Sequence, residues 1–410
     1  QQVIRGLFKN IGPGPLVAAA FIGPGTVTVC TIAGVQNGFT LLWAMLLSIL
    51  ATVVLQEMSA RVGLVTQKGL SEVVREQITK PFWKVVMVLL LISAVVVGNA
   101  AYEAGNISGG VLGLEAIFGN PFVGLLGIQI NYFSLLIGFI AFVLLFFGNY
   151  KILERVLVVL VIFMSLAFFI TAVMTRPDLI EVVKGLFVVN VSEENILTVI
   201  ALVGTTVVPY NLFLHASLVS EKWDSVSDLK LARRDTVIAI VLGGMVSMSI
   251  IVSAAAINST EVSSAADLAK SLEPLFGSFA KYIMSLGLFA AGITSAITAP
   301  LAAAYVAMGC LGWSSNMKSK RFKAVWIFVL GLGVLFSSIG LKSVEIIKFA
   351  QIANGLLLPV IAGFLLWIMN QTSVLGIFKN SRIQNTLGFI ILGIAVFVGI
   401  KSVLKVVGLF

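Results

Sequence analysis

Eleven apolar stretches, each long enough to cross a hydrocarbon core, follow one another along the 410 residues. A helix needs about 20 mainly apolar residues to span a bilayer. The stretches fall near 12–36, 39–60, 84–113, 131–149, 153–174, 195–219, 236–257, 279–312, 323–340, 345–369 and 386–404. They are continuous rather than alternating, whereas the strands of a membrane β-barrel alternate lipid-facing and lumen-facing residues. Backbone groups in lipid must pair within their own segment. The predicted class is therefore an all-α membrane protein with 11 transmembrane helices.

The formal net charge of +9 suggests nucleic acid, but its distribution argues against that. With the N-terminus placed inside and the connections assigned alternately, Lys and Arg gather on the inner side. The outer connections carry about as many acids as bases. This is the positive-inside pattern, and it predicts an inner-membrane, multi-pass protein with a cytoplasmic N-terminus. The basic stretches Arg61 to Lys84, Lys222 to Arg234 and Lys318 to Lys323 are read as topology signals. Trp83, Trp313, Trp326 and Trp367 fall at inner span ends, as an aromatic belt predicts. No small-residue cleavage site follows a short apolar run at the start, so no cleaved signal is expected. Cys30 and Cys310 lie within spans and are read as small buried apolar residues. The chain is read as one domain over 1–410.

Two spans are interrupted. The first breaks at Gly23-Pro24-Gly25-Thr26, and the sixth around Gly204-Thr205-Thr206-Val207-Val208-Pro209. They open two five-span halves, about 11–175 and 195–370, with an extra helix at 386–404. Five is odd, so the halves would run through the membrane in opposite senses. Paired broken helices at matching positions point to a secondary transporter with a midplane site.

Several segments resemble the natural resistance-associated macrophage protein (NRAMP) family of divalent-metal transporters. They are Gly12-Pro13-Gly14-Pro15-Leu16 with the break at Gly23, and Leu55-Gln56-Glu57-Met58-Ser59-Ala60-Arg61-Val62-Gly63-Leu64-Val65-Thr66. A third is Pro209-Tyr210-Asn211-Leu212-Phe213-Leu214-His215-Ala216-Ser217. Weaker echoes occur at Ala291-Gly292-Ile293-Thr294-Ser295 and at Gln351. The resemblance implies a LeuT-type fold of inverted repeats, spans 1–5 and 6–10, with helices 1 and 6 broken. It also implies a proton-linked role for Glu103, and a match of His215 to the second histidine of span six.

The departures are chemical. The family's first metal motif reads Asp-Pro-Gly-Asn, and Gly23 and Thr26 stand at its aspartate and asparagine. Its sixth-span motif reads Met-Pro-His, and Val208 and Tyr210 replace methionine and histidine. Thr205 stands where a small residue is usual. Carboxylate and thioether, the ligands that mark a transition-metal site, are both missing, so no metal ligand is assigned.

From these residues the expected substrate is a small anion. The start of a half-helix offers N–H groups and a positive dipole end. Gly23 and Gly25 permit close approach, Thr26, Thr205, Thr206 and Tyr210 offer hydroxyls, and Gln351 and Asn354 offer amides. Resemblance to a branch that has lost the metal motif implies bicarbonate. Glu103 sits mid-span with Asn99, Tyr102 and Asn106 at helical spacing, and with His215 it is the candidate for proton coupling. The alternatives are a carrier of largely hydrated Mg²⁺ or Mn²⁺, a small amino-acid carrier, and a non-transporting receptor. No nucleophile constellation, phosphate loop or metal-ligand cluster is found, so neither an enzyme nor a cofactor is expected. No oligomer is implied.

Overall fold

The computed structural model describes residues 22–125, 128–148, 151–257, 261–314 and 316–407. Its helices are α1 (Pro24–Asn37), α2 (Leu42–Thr66), α3 (Leu70–Gln77), α4 (Pro81–Ile92), α5 (Gly98–Phe118), α6 (Tyr132–Phe147), α7 (Lys151–Met174) and α8 (Leu179–Phe187). There follow α9 (Ile196–Thr206), α10 (Pro209–Lys222), α11 (Leu229–Ala255), α12 (Ala280–Leu311), α13 (Lys320–Ser338), α14 (Ser343–Met369) and α15 (Arg382–Val407). Among the described residues nine helical stretches are long and apolar enough to cross a membrane, and Tyr132–Phe147 is a shorter apolar helix. The expected first half of span one and the Gly12–Leu16 motif lie outside the described residues. A short antiparallel hairpin, Phe122–Leu125 with Ile128–Asn131, joins α5 to α6, a feature the apolar pattern does not reveal.

α5 is the axis of the packing. It lies against α12, α13 and α14, and it also touches α1. Small residues let these backbones approach, as is usual between membrane helices. A side chain at Gly109 would strike Pro24, which opens α1. Before α5, the chain passes through a π-helical turn, Ser93–Val97, and Asn99 Nδ2 then donates to Ala299 O of α12 at 3.0 Å.

The ends of α2 and α11 hold a charged knot. Glu57 accepts from Arg61 Nη2 at 2.8 Å and from Arg233 Nε at 2.7 Å. Arg61 is buried, and it also donates to Phe378 O and Asn380 Oδ1, both at 2.9 Å. One guanidinium thus ties α2 to the segment that precedes α15. The sequence reading took this arginine as a topology signal in a loop, but α2 continues past it to Thr66. Three of the four expected belt tryptophans are partly or fully exposed. Trp326 instead is buried against Phe142, with ring centroids 5.6 Å apart.

Candidate binding site at two helix breaks

Span six is broken where expected. α9 stops at Thr206, Val207 and Val208 are non-helical (ψ 70° and 118°), and α10 starts at Pro209. The carbonyl of Thr205 would normally meet the N–H four residues on, and proline has none. The last carbonyls of α9 therefore end in the break, at the negative end of the helix dipole. In span one Gly23 is extended (φ −82°, ψ 174°) and Pro24 opens α1, so in both places a proline begins a helix directly after a non-helical residue.

The two breaks meet. Thr26 Oγ1 and Thr205 Oγ1 lie 3.0 Å apart in a buried hydrogen bond. Gln351 of α14 packs between them. Its amide fills the space over Gly25, and its backbone carbonyl rests on Gly204, so a side chain at either glycine would displace it. The close approach that Gly25 allows is therefore used by Gln351. Gln351 Oε1 and Asn354 Nδ2, one turn further along α14, are buried with no hydrogen-bond partner.

Thr206 is turned away from this group. Its hydroxyl donates to Leu202 O at 2.9 Å and touches Met45 Sδ at 3.5 Å. Tyr210 is buried on the first turn of α10, its ring 5.3 Å from that of Tyr102. Of the expected residues, the structure gathers Gly25, Thr26, Thr205 and Gln351, with Asn354 beside them. Gly23 ends the break, and Tyr210 lies just beyond it.

Glu103 is elsewhere. It is buried, and its side chain packs on Gly333 of α13, whereas Gly105 and Gly109 face α14 and α1. Asn106 Nδ2 donates to its Oε2 at 3.2 Å, and Oε1 has no partner. His215 sits about 9 Å along α10 from Pro209 at 1.5 Å per residue. Thr236 gives its hydrogen to Ala232 O, so His215 Nε2 donates to Thr236 Oγ1, at 2.9 Å. Its Nδ1 is buried without a partner. Sequence reasoning missed Asn211, whose buried Nδ2 is unpartnered on the first turn of α10. A polar residue two places after the break proline was the available signal.

Among the described residues no group of three or more His, Cys, Asp and Glu could hold a metal ion. What the crossing offers is neutral oxygen: hydroxyls, an amide and carbonyls.

A sequence profile described as natural resistance-associated macrophage protein-like matches residues 14–405. The divalent metal cation transporter MntH of Bradyrhizobium diazoefficiens is 26% identical over 97% of this chain and 89% of its own length. The metal transporter Nramp1 of Populus trichocarpa is 30% identical over 98% of this chain and 76% of its own length. The manganese transporter of Eremococcus coleocola superposes with a TM-score of 0.75 at 18% identity, covering 98% of this chain and 87% of that one. The fold is the LeuT type. These findings overturn the expectation of a small anionic substrate and of bicarbonate, because the relatives are named for divalent metal cations. The physical flaw in that expectation is visible at the break. Pro24 has no N–H to give, and Gln351 already covers Gly25.

Proposed function

The chain belongs to the natural resistance-associated macrophage protein family, and from that premise we propose that it carries a divalent metal cation through the crossing of the two breaks. The observation that carries this reading is the unpartnered acceptor at the crossing. Gln351 Oε1 is buried without a donor, beside the carbonyl end of α9, and the Thr26 and Thr205 hydroxyls are adjacent. An acceptor without a donor suits a cation. The names of the relatives agree with it.

The donor set also selects the kind of cation. Gly23 removes the family's carboxylate and Val208 its thioether, so nothing soft remains. Neutral oxygens fit a hard ion such as Mg²⁺ or Mn²⁺ that keeps part of its water. Retained water offsets the cost of placing two charges where no carboxylate stands, and the dipole of α9 contributes further. Thr26, Thr205, Gln351 and Asn354 are the ligands or water-holders in this reading, with Tyr210 closing one side. Glu103 and His215 are set apart from the ion and are assigned to proton coupling. The charge pattern supports a bacterial-type inner membrane with the N-terminus inside.

Restoring the missing carboxylate tests the reading. Gly23 has an ordinary negative φ, which aspartate adopts without strain. In calorimetry, Gly23→Asp should bind Mn²⁺ at least about tenfold more tightly than the wild type, an added charge-assisted contact being worth about 1.5–3 kcal/mol. Unchanged or weaker binding in the folded variant would remove the cation from the crossing.

A further inference from the structure

The short helix α8 has three unlike faces. Asp178 caps it, with Oδ1 accepting from the N–H of Ile180 at 2.9 Å. At about 100° per residue its side chains sort into three arcs. Val182, Gly185 and Leu186 form the first, against the protein. Gly185 lies on the carbonyl of Phe39, in the turn that joins α1 to α2, and a side chain there would collide with it. Val182 and Leu186 are partly buried and pack on the main apolar core. Glu181 and Lys184 form the second arc and pair with each other at 2.7 Å, both well exposed. Leu179, Ile180, Val183 and Phe187 form the third. Leu179 is 72% exposed and Phe187 73%, so this apolar arc is bare from one end of the helix to the other.

What covers the bare arc follows from the helix before it. Leu166, Phe169, Ile170 and Val173 of α7 are exposed at spacings of three, one and three, a single apolar stripe along a membrane-crossing helix. In a bilayer that stripe meets acyl chains. Only Thr175 to Asp178 separate α7 from α8, so Leu179 lies within about 18 Å of Met174 and α8 begins near the membrane face. Arg176 turns the chain there with φ 47°, and its exposed side chain offers a cation at the level of lipid phosphates. The bare arc has no hydrogen-bonding side chain for a protein partner to recognise. Its four side chains also fall well short of the about 800 Å² per partner of a specific interface. Protein on one face, charge on the second and bare apolar side chains on the third describe a helix lying in a membrane interface.

We propose that α8 is seated in the bilayer leaflet away from the basic connections, with its bare arc among the lipid acyl chains, and that this seat braces the α1–α2 corner through Gly185. α1 carries Thr26 at one end and reaches the corner at the other, about 20 Å away. Any tilt of α1 moves the corner against a helix that lipid holds in place. The bilayer thus bears on the helix that forms half of the crossing. The brace involves no transported ion, so it stands or falls apart from the cation reading.

Spin labels test both parts. Ile180→Cys, Glu181→Cys, Val183→Cys and Lys184→Cys each carry a nitroxide in the full chain, held in phosphatidylcholine nanodiscs. The native Cys30 and Cys310 are buried, and the wild type serves as the labelling blank. Relaxation by oxygen, which dissolves among acyl chains, is compared with relaxation by a nickel chelate, which stays in water. The oxygen-to-nickel ratio at positions 180 and 183 should exceed that at 181 and 184 at least about threefold, as for a helix with one face in lipid. Equal ratios at all four positions would put the arc in water. Poor access of both reagents at position 183, or spin–spin broadening there, would put protein or a second copy over it. Each of these results overturns the seat. For the brace, a nitroxide is placed at Gln36→Cys, exposed on the last turn of α1. Val183→Asp with Phe187→Asp should raise its mobility, whereas Glu181→Gln on the water side should not. Gly185→Leu, which keeps the lipid face and forces α8 off Phe39, should raise it too, and serves if the double variant does not fold. Unchanged mobility at position 36 in folded Gly185→Leu would overturn the brace.

Discussion

The crossing of the breaks and the charged knot at the end of α2 solve opposite problems with opposite chemistry. In the knot, one carboxylate meets two guanidinium groups, and Arg61 reaches a backbone carbonyl and an amide oxygen besides. Charge is present and nearly all of it is answered. At the crossing no side chain is charged, yet polar atoms of Gln351 and Asn354 are buried without partners. The difference shows where function lies in a low-dielectric protein. In the knot the opposite charges answer one another, with only Arg61 Nε left over, and hold helices together. The neutral amide atoms left open at the crossing, an acceptor on Gln351 and a donor on Asn354, are available for something that comes and goes.

Removing the guanidinium of the knot should give the largest effect. Arg61 has only 2% of its side chain exposed and Glu57 15%, so Arg61→Met leaves Glu57 half-answered in a partly buried place. Breaking a buried pair from one side costs about 3–5 kcal/mol. Thermal unfolding in detergent should show a large loss, with Arg233→Met, whose side chain is 42% exposed, costing under about 1 kcal/mol. Equal losses in the two variants would mean that burial does not set the strength of the knot.

At the crossing the effects should fall on transport rather than on stability. Gly204→Ala drives a methyl into the Gln351 carbonyl and pushes α9 off α14. Overpacking of this kind costs about 1–3 kcal/mol, so the protein should still fold while uptake is nearly lost. Gln351→Leu removes the open acceptor and should raise the KM for the cation about tenfold. Thr26→Val breaks the bond to Thr205 and should cost about 1 kcal/mol, or about fivefold in KM. Wild-type uptake kinetics in Gln351→Leu would erase the contrast between the two regions. The smallest effect is expected at Glu103, which is buried away from the crossing. Glu103→Gln should leave uptake unchanged without a pH gradient and remove its acceleration by an inward proton gradient. A response to that gradient equal to the wild type's would assign Glu103 to helix packing.

The fold was legible because membrane helices write themselves in long apolar runs, and because a proline joined to a glycine and a polar pair in such a run marks a break, whereas Pro300 and Pro359 alone lie inside continuous helices. Pro209 announced the interruption between α9 and α10, and the grouping of Thr26 with Thr205 followed from two breaks at matching positions. What Gly25 is for was not legible. From the sequence it invites an anion to the backbone, and only the packing shows Gln351 in that space. Glu103 was read as a functional acid, but nothing in one chain's sequence tells which face of α5 it occupies. The knot was hidden for a related reason. Arg61, Arg233 and Asn380 are far apart along the chain, and a basic residue near a span end reads as a topology signal until its partner is seen.

The central claim is that a neutral crossing of two broken helices passes a divalent cation. Purified protein in liposomes, offered Mn²⁺ or Mg²⁺ outside with a fluorescent indicator or radiotracer inside, measures it most directly. The account predicts saturable uptake of at least one of the two ions above protein-free liposomes, abolished in Gly204→Ala at matched incorporation. Absence of uptake of either ion by the folded wild-type protein would contradict it.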